Sequence, residues 1–340
     1  MLAQNTLVYK IFDLDTDFMN DFVDAAGWEA YVEYLHRYFS QHAGAKCLLW
    51  VNPAQGDPFE DNLHVRTVRF RVPVNHPRYD VSVGPYLVPL DLAVSIDADV
   101  LRESVRLAWQ AWEFASLLAM QGQPICGWIA HGDARSLALH WAIRCHLHRR
   151  NGLAKLLRFH DPSVREWLWT TLSASQRSSL LGPAASVFSI GRAHALVHHL
   201  RDGGAIIPAL DEMPSLTLTD AQWEQVEEYA TVHAAWLAWH DGPTGRDMDL
   251  DLPAWEQTVL GALKQASNYG VVDAEDRQLF ALHTLQFGAN FHTSKSMLPV
   301  WTKTRSGSHY GNAIEQVMGI PVDQLTTRLI SAFTIAHQEK

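Results

Sequence analysis

Cysteine is scarce: Cys47, Cys126 and Cys145 are the only three in 340 residues. An odd number, spaced too widely for a metal knuckle, excludes a disulfide framework and points to free thiols in a reducing cytosol. Long apolar runs are lacking too. The longest uncharged stretch, 114–132, is interrupted by Gln121, Gly122, Gln123 and Pro124, so it is no membrane span. The opening MLAQNTLVYK has no basic segment leading into an apolar one, so no secretory signal and a cytoplasmic location are expected. Common catalytic signatures are missing as well. There is no Gly-rich phosphate loop ending in Lys-Ser/Thr, no G-x-S-x-G elbow, no H-E-x-x-H and no C-x-x-C pair, which removes the usual templates for enzyme chemistry.

What remains is a globular composition, 47% hydrophobic and 19% charged, long enough for one large or two ordinary domains. The formal charge of −10 is concentrated: residues 211–251 hold ten acids against Arg246 alone. Such a field repels phosphate backbones, so nucleic acid is not an expected partner. The stretch is either a solvated face or a docking surface for a basic partner, with Glu224, Glu227 and Glu228 as its candidate contacts.

Two styles of sequence follow one another. Runs rich in β-branched and aromatic residues with turn-prone flanks read as strands at 6–13, 46–51, 65–72, 84–90, 126–131 and 153–160. Between them, apolar positions of helical spacing predict helices at 97–121 and 133–150, the second closed by Asn151-Gly152. From Asp220 onward only helices are expected, at 220–240, 254–269, 273–290 and 321–337. The fold class is therefore α+β: an N-terminal mixed α/β sheet domain, 1–205, followed by an all-helical C-terminal region, 206–340, with Gly and Pro punctuation between.

Three candidate constellations carry chemistry. Asp13, Asp15 and Thr16 follow an apolar run and resemble the opening aspartates of the haloacid-dehalogenase-like phosphohydrolase signature. That resemblance would make Asp13 a nucleophile and Asp15 an acid/base beside Mg²⁺, but the Lys and later acidic pair such a site needs are not evident. As a calcium loop the same run fails at Phe18, where glycine is required. His194 and His198 stand at i, i+4, a spacing that presents two imidazoles to one metal on a helix; no third ligand is evident nearby, and His140, His146 and His148 do not converge. No cofactor or metal is expected. Thirteen tryptophans are the third oddity. Trp112 falls on an apolar stripe and reads as core, whereas Trp236 and Trp239 crowd one acidic helix, which makes one of them a candidate partner contact.

The stretch LLRFHDPSVREWLWTTLSASQ, 156–176, reads as a corner. Asp161 accepts from the free N–H groups of a first helical turn, and Pro162 at the first position loses nothing by lacking its own. Arg158 is placed to pair with Asp161.

The ordered set GPYLVPL (84–90), GWIAHGDARSLALHW (127–141) and LLRFHDPSVREWLWTTLSASQRSSLLGP (156–183) resembles the domain of unknown function found in type VI secretion adaptors, chaperones that load a toxin onto the secretion spike. The matching positions are Asp13, Gly84, Pro85, Tyr86, Leu87, Gly127, Trp128, Arg158, Phe159, Asp161, Pro162, Val164, Gly182 and Pro183. His160 stands where Tyr is usual and Ser163 where Arg is common, so no role of that Arg carries over. The resemblance covers about 6–190 and implies a cytoplasmic, non-enzymatic adaptor whose partners are a secreted effector and the spike protein, with no nucleic acid and no membrane. It also makes Asp13 a strand-end residue of the fold.

Overall fold

The computed structural model describes residues 27–42, 46–54, 56–60, 68–77, 79–113, 116–117, 122–148, 154–192, 194–201, 216–241, 252–319 and 321. The strand expected at 6–13, with Asp13 and Asp15, lies outside them, as do Asn151-Gly152 and the helix expected at 321–337 apart from Pro321. Among the described residues no helix is long and apolar enough to cross a membrane. The N-terminal part mixes helices with an antiparallel sheet, and the C-terminal part is mostly helical.

By its contacts the chain divides into two compact units. One comprises Met1–His148, Ala154–Glu166 and Leu172–Leu216, the other Arg149–Leu153, Trp167–Thr171 and Thr217–Lys340.

The strands are β1 (Lys46–Val51), β2 (Phe70–Arg71), β3 (Tyr86–Leu90), β4 (Ile125–His131), β5 (His146–His148), β6 (Ala154–Leu156), β7 (Ser186–Ile190), β8 (Leu196–Leu200) and β9 (Leu216–Thr217). Six form one sheet in the order β2-β3-β1-β4-β7-β8, and its ladders are antiparallel. β5 and β6 pair as a separate antiparallel ladder.

β1 reads KCLLWV and is buried from Cys47 onward, because helices cover both faces of the sheet. Side chains alternate across a strand. Cys47, Leu49 and Val51 therefore join the core beneath α1 (Trp28–Gln41) and α2 (Ser95–Gln110), with Leu35, Phe39, Leu101 and Val105. Trp50 points the other way and stacks on Trp141 of α3 (Ala134–Arg144), ring centroids 4.0 Å apart. The same unit holds α5 (Ala174–Leu181), opened by a reciprocal cap between Ser173 and Gln176. α4 (Pro162–Thr171) begins at the Asp161-Pro162 corner.

The helix expected at 133–150 ends at Arg144, and His146 and His148 lie on β5 instead. The alternation in His146-Leu147-His148 is a strand pattern that helical spacing alone overruns.

In the second unit α6 (Asp220–Asp241), α7 (Leu252–Ala266), α8 (Ala274–Phe287), α9 (Leu298–Arg305) and α10 (Tyr310–Met318) enclose an aromatic core. Trp301 stacks on Tyr310 at 5.5 Å, and Phe280 touches both. Ten of the thirteen tryptophans are buried, so their abundance serves packing first.

Candidate functional site

The family-like motifs of the sheet unit gather around Trp50. In the strand register Trp50 faces Leu87 on one side and Gly127 on the other, so the G-P-Y-L and G-W motifs flank it from two neighbouring strands. Gly127 has φ +144, and a Cβ there would lie 2.2 Å from the Phe188 carbonyl oxygen and 3.5 Å from Arg165 Nη2. Only glycine fits that approach. Trp128, next along, donates its Nε1–H to Ser104 Oγ at 2.8 Å on the opposite face.

Into the space above Trp50 comes Arg165, fully buried. Its Nη2 donates to the Cys126 carbonyl at 2.6 Å, and its Nη1 to the carbonyls of Phe159 and His160 at 3.1 and 3.2 Å. The guanidinium lies 5.5 Å from the Trp50 ring centroid and 5.8 Å from that of Phe159. Burial pushes its pKa down to about 10, while Asp161 and Glu166 oppose the shift; the group is charged at neutral pH. Burial raises the Glu166 carboxyl against the pull of Arg192. His160 is pushed down to about 4, mainly by desolvation, with Arg158 and Arg165 adding and Asp161 opposing.

The Asp161 corner forms as its residue types require. Oδ1 accepts from Ser163 N–H at 3.0 Å and Oδ2 from Arg158 Nη2 at 3.1 Å, while the Asp161 carbonyl accepts from Arg165 N–H at 2.9 Å. An N-cap of this kind is worth about 1 kcal/mol. The ion pair adds little, since Arg158 is 60% exposed. Gly182 closes α5 at φ +58, where a Cβ would lie 2.2 Å from the His140 ring. His140 Nε2 donates to Ser179 O at 3.0 Å, and Trp141 Nε1 to Leu180 O at 2.9 Å. The end of α5 is thereby fastened to α3 and to the Trp50 stack.

Perturbed titratable groups gather at catalytic sites and in structural networks alike. Here Nη1 and Nη2 of Arg165 donate to main-chain carbonyls while Nε has no partner among the described residues, and those bonds fasten β4 to the α4 corner. The thiols are equally withdrawn: all three are buried, and burial drives Cys145 up to about 12 and raises Cys47 and Cys126, so they hold little reactive thiolate.

G-P-Y-L does a second job. A Cβ on Gly84 would lie 2.3 Å from the Tyr79 hydroxyl, and Pro85 O accepts from Val72 N–H at 2.9 Å. Tyr86, fully buried, donates its hydroxyl to Asp57 Oδ1 at 2.7 Å. Asp57 also holds Arg69 at 2.5 Å. Arg69 and Arg71 lie over the Tyr86 ring at 5.0 and 5.6 Å.

The remaining candidates fare differently. Trp236 and Trp239 are 6% and 3% exposed, so the expectation that one of them meets a partner is corrected. α6 buries a wide face that takes Trp223, Val232 and Ala235 as well, and both rings belong to that core. Glu224 and Glu227 are exposed, whereas Glu228 is part-buried and paired with Arg277 of α8. The metal spacing of His194 and His198 presumes a helix. Instead His194 has φ +56 outside a strand and rests on Trp109, and His198 lies on β8 stacked on Phe188 at 4.0 Å. Asp273, Asp276 and His309 do bring ligand atoms within 4.8 Å of one another, but Asp273 caps α8 and Asp276 pairs with His309.

Sequence reasoning passes over Arg165, because a lone Arg on an amphipathic stretch reads as solvated. It also passes over Arg69, Arg71 and Arg135, which come from separate elements. No curated protein and no solved structure matches the chain. Residues 80–179, which include Gly84 to Leu87, Gly127-Trp128, Arg158-Phe159 and Asp161-Pro162 but neither Asp13 nor Gly182-Pro183, match the family model described as a domain of unknown function, DUF4123.

Proposed function

We propose that this chain is a cytoplasmic, non-enzymatic adaptor of a type VI secretion system that binds a secreted effector and loads it onto the spike protein. The observation that carries the reading is convergence. Motifs far apart in sequence, G-P-Y-L, G-W and R-F-x-D-P, belong to a region similar to DUF4123 and meet around Trp50 and Arg165. They support the resemblance as a shared framework, with binding left to the surface that the framework holds in place.

Secretion provides the test. Deleting the coding sequence should leave the effector inside the cell while other secreted proteins of the apparatus still leave it. Complementation with Asp13→Asn should restore export fully, since no nucleophile is required. Export unaffected by the deletion contradicts the adaptor role. Failure of a stable Asp13→Asn protein, together with magnesium-dependent turnover of a phosphate ester by the parent, would favour the phosphohydrolase instead.

A further inference from the structure

Away from the buried corner, a groove of about 320 Å³ lies between β2, the outermost strand of its sheet among the described residues, and α3. Phe70, Ala138 and Leu139 give it an apolar floor, and Arg69, Arg71 and Arg135 line the same groove. Among the described residues no acid lines it, in a chain that carries ten more acids than bases. Leu139 is 43% exposed although its helix neighbours Leu137 and Trp141 are fully buried. Val68, just before β2, is 63% exposed.

The arginines are not equally occupied. Arg69 is held by Asp57 and by the Phe59 carbonyl. Arg71 donates Nη1 to Gly84 O at 3.1 Å and acts on Asp80, whose carboxylate is held first by Ser82. Arg135, in the first turn of α3, is exposed and makes no ion pair among the described residues. Its main-chain N–H is engaged by the Asp133 cap.

An apolar patch bordered by polar groups is the usual mark of a binding surface, and an open sheet edge is commonly covered by a partner segment. We propose that the groove between β2 and α3 docks an acidic segment of a protein partner, its carboxylates on Arg71 and Arg135 and an apolar side chain on Phe70 and Leu139. Charge complementarity selects the occupant. Planar guanidinium groups match carboxylates two bonds at a time, and the apolar floor takes a side chain that a nucleic-acid backbone does not offer. The inference rests on the adaptor reading and gives one of its partners a place to bind.

The test uses the full chain and a fluorescein-labelled twelve-residue peptide alternating Leu with Asp and Glu, followed by anisotropy. Arg135→Glu and Leu139→Asp, both at exposed positions, should each weaken binding at least tenfold with unchanged melting. Lys295→Glu, in the other unit, should leave it as it was. The same peptide with Lys replacing the acids, and a labelled twelve-nucleotide single-stranded DNA, should bind at least tenfold more weakly than the acidic peptide. Absence of binding to the parent chain, equal binding by both groove variants, or tighter binding of the DNA overturns the proposal. Capture of purified effector and spike is measured on the same preparations. If both partners are captured while the groove variants bind the peptide like the parent, the groove falls and the adaptor stands; groove-dependent peptide binding with neither partner captured has the opposite meaning.

Discussion

Replacing Arg165 with Met is expected to lower the stability of the sheet unit by about 3–5 kcal/mol, the cost of leaving several buried main-chain acceptors without their donor. Three main-chain carbonyls, those of Cys126, Phe159 and His160, lose their donor at once, and an orphaned buried acceptor costs about 1–3 kcal/mol by itself. Met fills part of the volume above Trp50, so the loss isolates the polar network from simple cavity formation. Lys should not rescue it, because one ammonium cannot reach acceptors that a planar fork spans. Urea unfolding read by amide exchange along β4 reports the effect where it arises. A Met variant with the parent's protection of Ile125–His131 would show that the cation is no fastening.

Mild acid is expected to destabilise the chain steeply. His140, His199 and His283 are each 3% exposed or less. Burial lowers all three: His140 to about 4, with Arg144 adding to the shift, His283 to about 3, and His199 well below its ordinary value. Nδ1 of His140 and Nε2 of His283 have no partner among the described residues, so an imidazolium at either place is left with an N–H that nothing accepts. Between the unfolded value of about 6.5 and the lower folded values, the unfolded chain binds more protons than the folded one. Stability is therefore full above about pH 6.5 and falls as pH drops toward 4. A folded value one pH unit below the unfolded value corresponds to about 1.4 kcal/mol, which makes the summed loss several kcal/mol. The raised carboxyl of Glu166 acts in the opposite sense, favouring the fold at low pH. Chemical denaturation at pH 7.5, 6.5, 5.5 and 4.5 checks this, with His140→Asn and His283→Asn expected to flatten the slope. A profile level down to pH 4.5 contradicts it.

Strands of the sheet interior are the most legible part of the sequence. β1 is a continuous apolar run set between turn residues, and its expected bounds, 46–51, are those observed. β4 is a second such run, and the helices expected at 220–240 and 273–290 are observed at Asp220–Asp241 and Ala274–Phe287. α1 is absent from the expected helices, although Tyr31, Leu35 and Phe39 recur every four residues and are all buried. β7 is absent from the expected strands, because a five-residue strand buried on both faces has no alternation to show. Position in the fold is harder to read than element type. Asp161-Pro162 announces its own role, since capping is local chemistry. Arg165 lies four residues on and has no local signal, because its burial depends on Gly127, Cys126 and Trp50, which are remote in sequence. The basic groove is invisible for the same reason: its arginines come from β2 and α3, while the overall charge has the other sign.

Light scattering on a size-exclusion column most directly tests whether this chain is an adaptor. The purified chain is mixed with a candidate effector and a spike protein of a type VI apparatus from the same genome, in pairs and all together. The expected result is a species whose mass is the sum of all three components, which loses the effector from the spike when the chain is left out. Spike and effector assembling equally well without the chain, or the chain eluting alone from every mixture, would contradict the adaptor role.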